Sequence, residues 1–210
     1  MPKISRKQIL QDFRTRSLLE ATRRLIAKQG FDAVTMEQVA RDAGMTKGGI
    51  YLYFRNKDQM ILAAVEQTAA GMVQQIEARV NARSEPWGQL CELIRAQMEI
   101  MEENRELLRT LLIDRRLMRD SPGGRRARRL LKYKRRHEAG IQHLLETGMK
   151  QRIFSSVDAC RAAFYVNELI VGAAQRRLLG LTQASVKEET EALIRFVGLL
   201  LRKRNSHASH

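Results

Sequence analysis

The sequence predicts an all-α chain of about nine helices: a three-helix N-terminal helix-turn-helix unit followed by a larger helical bundle. Three observations carry this reading. Apolar residues fill 44% of 210 positions, enough for a sizeable core. Leu, Ala, Arg, Glu and Gln dominate, all favourable in helices, and only three prolines interrupt them. Apolar positions recur at helical spacing, and no segment alternates as a strand would.

The elements follow in order. From Arg14 to Gln29, Leu18, Ala21, Leu25 and Ile26 form one apolar face, which Gly30 ends, with Phe31 placed to fold back as the partner of a glycine cap. Thr35 and Gln38 have capping-box spacing and open a short second helix with Val39, Ala40 and Ala43 on its buried side; Gly44 closes it. Thr46 caps a third helix holding Ile50, Tyr51 and Phe54, and Asn56 caps a fourth that runs from Lys57 to about Arg83. Pro86 starts a fifth, to about Met101, and a sixth spans Asn104 to about Arg119 before the breaker "DSPGG". A long seventh helix reaches about Lys150, an eighth runs from Ser156 to Leu179, and a ninth from Ser185 to Arg204 opens with a second capping box, Ser185 and Glu188. The implied organisation is 1–57, 58–204 and a frayed tail at 205–210.

The stretch "GMTKGGIYLYFRNKDQM", residues 44–60, sets two glycines at the start of the third helix, where each costs up to about 1 kcal/mol. A helix that reads DNA must bring its backbone close to phosphates and base edges, and Gly48 and Gly49 remove the bulk that would prevent it. Thr46 offers a hydroxyl, Lys47 a charge, Tyr51 and Tyr53 phenolic donors, and Lys57 an ammonium at the start of the next helix. Arg41 is a peripheral phosphate contact or a solvated side chain.

With those residues in view, the run "LLEATRRLIAKQGFDAVTMEQVARDAGMTKGGIYLYFRNKDQMIL" resembles the N-terminal DNA-binding domain of the TetR family of bacterial transcriptional regulators. Ala21, Leu25, Gly30, Phe31, Thr35, Val39, Ala40, Ala43, Gly44, Gly48, Tyr51, Tyr53, Phe54 and Lys57 are its landmarks. The resemblance implies that Thr35 touches phosphate and that Thr46, Lys47, Tyr51, Tyr53 and Lys57 contact double-stranded DNA. Gly49 departs from the family, which often has Ser, Thr or Ala there, so only backbone contact is expected at that position. Residues 63–210 match no motif.

The formal charge of +15 favours a polyanionic partner. Residues 115–136 hold eleven cations against Asp120, whereas residues 1–55 hold eleven against five anions. The first cluster reads as a solvated helix face, as arginines capturing an anionic ligand such as an acyl-CoA, or as extra contact with DNA or another polyanion. The middle helices are rich in Met and Leu, and the resemblance implies a small-molecule effector site among them. Met72, Met98, Met101, Leu108, Leu112, Phe164, Asn167 and Glu168 are its candidates; Asn167 or Glu168 would orient a ligand or bond across a dimer. Gly172 and Ala173, which permit close helix crossing, and Leu193, Phe196, Val197 and Leu200 are candidates for a homodimer interface in which helices eight and nine of two subunits form a four-helix bundle. A twofold dimer would place its recognition helices roughly 34–36 Å apart, the repeat of the major groove.

No GxSxG, phosphate loop or HExxH is present, and the four histidines are scattered; His137 and His143, six apart on a helix, do not share a face. Enzyme chemistry, metal and cofactor are therefore not expected. No apolar stretch approaches the roughly 18 residues of a membrane span, and two distant cysteines suit a reducing cytoplasm. The expected function is a TetR-like repressor, cytoplasmic and nucleoid-associated when on DNA, that binds a palindromic operator as a homodimer and is released by a small, largely apolar or anionic ligand. The alternative is a polyanion-binding interaction protein, on the nucleoid or a membrane surface, using the basic region 115–136. In the first reading, the fourth helix would couple effector site to recognition helix by a population shift.

Overall fold

The computed structural model describes residues 5–80, 84–113 and 125–203, leaving aside the side chains of Phe31, of residues 110–113 and of residues 125–130. Nine helices lie among the described residues: α1 Arg6–Ala33, α2 Met36–Asp42, α3 Lys47–Ile50, α4 Lys57–Arg79, α5 Pro86–Glu103, α6 Arg105–Ile113, α7 Arg125–Lys150, α8 Ala159–Leu178 and α9 Val186–Leu201. None of the described helices is long and apolar enough to cross a membrane.

The predicted caps form. Thr35 Oγ1 accepts from Gln38 N–H at 3.2 Å while the Gln38 side chain accepts from Thr35 N–H at 2.9 Å. Ser185 and Glu188 repeat the arrangement at 3.2 and 2.7 Å, and Asn56 Oδ1 accepts from Gln59 N–H at 2.9 Å. Removing one such cap costs about 1 kcal/mol. Thr35→Ala is therefore expected to lower the unfolding free energy by about that amount in a denaturant titration, with Thr35→Ser close to the parent.

Five expectations on helix ends need correction. The first helix begins at Arg6 rather than Arg14, because Ser5 and Gln8 form a further reciprocal cap at 3.0 and 3.2 Å; Gly30, at φ +77°, kinks it, with one more turn to Ala33. The third helix stops at Ile50, since Leu52 and Tyr53 N–H bond three residues back, to Gly49 and Ile50, and tighten the chain into a turn. Tyr51 thus caps α3, and Phe54 lies beyond it. The eighth helix starts at Ala159, where Asp158 Oδ1 accepts from Arg161 N–H at 3.1 Å. The ninth ends at Leu201, because Ser155 N–H bonds to Leu201 O and Lys203 N–H to Ile153 O, drawing the chain into an antiparallel bridge between Phe154 and Arg202. The fourth helix ends at Arg79, short of the predicted Arg83, and the predicted end of the sixth at Arg119 falls outside the described residues.

The chain forms two compact units: Met1–Ala69 with Glu106–Arg129, and Ala70–Arg105 with Leu130–His210. The sequence-level boundary at 57/58 marks the end of the recognition element; the units divide further along, inside α4. In the first, α1 packs on α2 and α2 on α3, around Leu18, Ala21, Ile26, Val39, Ile50 and Phe54, all buried as expected. In the second, α5 packs against α8 and α9, with Leu90, Ile94, Met98, Ile141, Leu145 and Ile170 fully enclosed. Gly148 of α7 lies directly on the ring of Phe154. That ring meets Trp87 edge-on at 6.5 Å, and the Arg202 guanidinium covers Trp87 at 5.2 Å.

Candidate DNA-binding surface and ligand cavity

The turn between α2 and α3 is built from local chemistry. Gly44, at φ +66°, lets the chain reverse after two helical turns. Thr46 caps α3 by accepting from Gly49 N–H at 3.1 Å, so its hydroxyl hydrogen remains to donate outward. The two glycines have different reasons. A Cβ at Gly48 would meet nothing within 4 Å, so its small size matters only to something approaching from outside. A Cβ at Gly49 would sit 3.1 Å from the capping oxygen of Thr46 and 3.4 Å from Met45 Cε, an intramolecular reason absent from the sequence reading.

Around this turn the candidate residues are presented together. Thr46, Lys47, Gly48 and Tyr51 are exposed, Gly49 and Tyr53 half-buried, and Thr35 and Arg41 exposed on α2 and its cap. Lys47 Nζ pairs with Glu37 at 2.8 Å. That bond raises the lysine's affinity for its proton and holds Glu37 below the usual carboxylate range. Both partners are largely in water, where such a pair is weak, so a phosphate competes for Lys47 at little cost. Lys57 is half-buried and donates to Asp32 O at 2.9 Å, which ties the start of α4 to the end of α1.

The candidate effector residues are dispersed. Met98 and Met101 are buried on α5 and Met72 is half-buried on α4. Leu108 belongs to the other compact unit, and the Leu112 side chain, like Arg115, Arg116, Met118 and Arg119, lies outside the described residues. Glu168 receives Lys134 Nζ at 2.7 Å, and the same ammonium lies 5.4 Å from the centre of the exposed Phe164 ring. Asn167 is buried and accepts from Gln97 Nε2 at 3.1 Å. Gln97 Oε1 in turn lies 2.8 Å from His137 Nε2. A carbonyl oxygen can only accept, so His137 Nε2 carries the proton and Nδ1 keeps its lone pair.

Phe164 borders a cavity of about 480 Å³ with Arg135, Gln142 and Tyr165; none of the eight borders a second one in this unit, of about 450 Å³, in the size range of small-molecule sites. Ile76, Val80, Pro86, Leu93, Gly140 and Leu144 form its apolar wall; Glu77, Gln89, His137, His143 and Thr147 supply its polar groups. Both histidines border it, although, as expected, they do not share a face: six residues along a helix turn through about 240°, and they stand towards opposite edges of the α7 arc that lines the cavity. Polar residues inside an apolar period were the available signal. Gln97 sits among Leu93, Ile94, Ile100 and Met101, and His137 precedes Ile141 and Leu144 at core spacing.

Burial pushes the His137 imidazole below its ordinary value of 6.5, with Glu77 acting weakly in the opposite direction. The unfolded chain therefore takes up a proton here before the folded one does. The stability from a neutral His137 is complete above about pH 6.5 and is lost as pH falls below it. His137→Gln is expected to remove that part of the pH dependence, measured as the slope of unfolding free energy between about pH 5 and 7.5 for parent and variant.

On the remaining candidate surface, Gly172 and Ala173 are half-buried, Leu193 and Val197 are buried within the chain, and Phe196 and Leu200 are 49% and 55% exposed. In the basic region, Arg136 grips Glu77 at 3.0 and 2.7 Å.

Residues 18–64 match the family described as bacterial regulatory proteins, tetR family. The chain is 27% identical over 180 residues to the HTH-type transcriptional regulator BetI of Brucella anthropi, covering 86% of this chain and 87% of that one. Four other curated regulators, among them YfiR of Bacillus subtilis at 32% identity over 65 residues, align over only 17–45% of their own length. Among solved structures, a regulator from Saccharomonospora viridis in complex with choline superposes with a TM-score of 0.77 at 22% identity, covering 90% of this chain and 98% of that one. AibR in complex with isovaleryl coenzyme A and operator DNA superposes at 0.64 and 19%, covering 89% and 97%. These likenesses share the all-helical fold. Residues 18–64 therefore form a domain like that of the tetR family of bacterial regulatory proteins, within an all-helical chain.

Proposed function

We propose that this protein is a transcriptional repressor that binds a palindromic DNA site as a homodimer and leaves it when a small, largely apolar molecule fills the cavity of about 450 Å³. The observation that carries the reading is the α2–α3 turn, where Thr46, Lys47 and Tyr51 are exposed beside a Gly48 with open space above it. Exposed Phe196 and Leu200 on α9 and Tyr165 on α8 support dimerisation through these helices. The cavity borders α4, whose other end begins at Lys57 beside the DNA-contacting turn; a ligand that favours one setting of this helix would shift the dimer away from its DNA-competent state. Linkage then requires DNA to weaken the ligand by the same factor.

Selection of bound sequences from a random double-stranded library at about 0.15 M salt tests the reading. A recovered palindrome, with two protomers per site in sedimentation, supports it. Unenriched DNA, or binding that survives loss of Lys47 and Tyr51 and disappears when residues 125–136 are neutralised, overturns it.

A further inference from the structure

We propose that the effector is an amphiphilic amine: a primary or secondary ammonium carried on an apolar body. The proposal rests on the reading of the cavity as the effector site and adds the chemistry of its occupant. Among the described residues that line it there is no Lys or Arg, and the charged group they present is the Glu77 carboxylate. Arg136, which holds Glu77 from the side, does not border the cavity.

The neighbouring polar groups have the same character. His137 Nε2–H is committed to Gln97 Oε1, which leaves the ring of this lining residue with an acceptor nitrogen. Gln97 is itself oriented by its bond to Asn167, so the histidine's tautomer is set by two buried amides rather than by the solvent. The Thr147 hydroxyl spends its hydrogen on His143 O at 2.9 Å and faces other groups as an acceptor. Gln89 and His143 can both donate and accept and do not discriminate.

A cavity whose discriminating groups accept hydrogen bonds, one of them an anion, complements a group with donors only. An ammonium with two or three N–H bonds is such a group. A carboxylate or phosphate would set acceptors against acceptors and a negative charge near Glu77. A quaternary ammonium has charge but no N–H, and depends on aromatic faces; no Phe, Tyr or Trp is among the described residues that line the cavity. The occupant therefore differs in class from the choline bound by the Saccharomonospora viridis chain. The six apolar wall residues account for the rest of the molecule.

Isothermal titration of the full chain at about pH 7.5, where alkylamines are protonated, separates the possibilities. The probes are n-octylamine, octyltrimethylammonium, octanoate and 1-octanol, all below their micelle concentrations. The expected result is octylamine binding at least about tenfold tighter than octyltrimethylammonium or octanoate, the usual size of a charge-assisted hydrogen-bond preference. Glu77→Gln should erase that preference without changing octanol binding, and this exposed site leaves the fold intact by circular dichroism. Val80→Trp, which fills the cavity, should abolish binding of every probe. In the free protein, ¹⁵N correlation spectra should show His137 Nδ1 unprotonated, with its shift moving as octylamine is added.

If octanoate or the quaternary probe binds as tightly as octylamine, if Glu77→Gln has no effect, or if Nδ1 carries the proton, the ligand class is wrong while the cavity stands as the effector site. If no probe binds, or if binding survives Val80→Trp, the effector-site reading fails and this proposal fails with it.

Discussion

Lys47→Ala combined with Tyr51→Ala lowers affinity for the selected DNA by about a hundredfold or more and leaves the melting temperature within about 2 °C of the parent. The first half follows from what the side chains offer. Lys47 carries a charge on an exposed stem held only by Glu37, and Tyr51 is 46% exposed beside it. A charge-assisted contact and a phenolic hydrogen bond are each worth roughly 1–2 kcal/mol, and a dimer loses each of them twice. The second half follows from exposure: neither residue fills the core, where Ile50 and Phe54 do the packing. A binding titration over a series of salt concentrations adds a separate check. Losing Lys47 from both protomers should flatten the dependence of log K on log salt by about two. Binding that is unchanged in the double variant would remove the α2–α3 turn from the DNA contact.

Gly148→Ala lowers the unfolding free energy by about 1–3 kcal/mol, against the usual direction for a glycine inside a helix. Alanine would ordinarily strengthen α7 by up to about 1 kcal/mol. Here its methyl group would occupy the place of the Phe154 ring, with Pro86 Cβ 3.1 Å away. Phe154 is 3% exposed and wedged edge-on against Trp87, so it has nowhere to swing. Gly140 is the control in the same helix. A Cβ there meets nothing within 4 Å, and Gly140→Ala should gain stability by the ordinary propensity difference. Denaturant unfolding of the two variants should therefore give changes of opposite sign. Two gains would mean that Phe154 is not fixed where it lies.

Local signals in the sequence carried the architecture. Thr35, Asn56 and Ser185 each read as a cap from spacing alone, and each caps a helix. Caps act within four residues, which is why sequence reveals them. The same rule applied to Ser5 and Gln8 would have placed the start of α1 correctly. The end of α9 was not legible, because it depends on Ser155 and Ile153, nearly fifty residues away. The cavity was hidden for a similar reason. Methionines marked soft core, but space remains where α4, α5 and α7 leave a gap, and no residue type announces a gap. Gln97, His137 and Asn167 meet only after three separate helices have packed, and of the three only Asn167 was singled out in the sequence as a polar residue in an apolar run.

The packing of α5 on α8 and α9 has a consequence during synthesis. The buried face of α5 is complete once Glu103 has been made, but its partners end with Leu201, roughly one hundred residues later. At typical translation speeds of about 5–20 residues per second, Leu90, Ile94 and Met98 wait on the order of 5–20 seconds for the helices that will cover them. Over that interval the nascent second unit is a natural client for chaperones that hold apolar helices, whereas the packing of α1 on α2 and of α2 on α3 joins close neighbours in sequence and can form as they emerge.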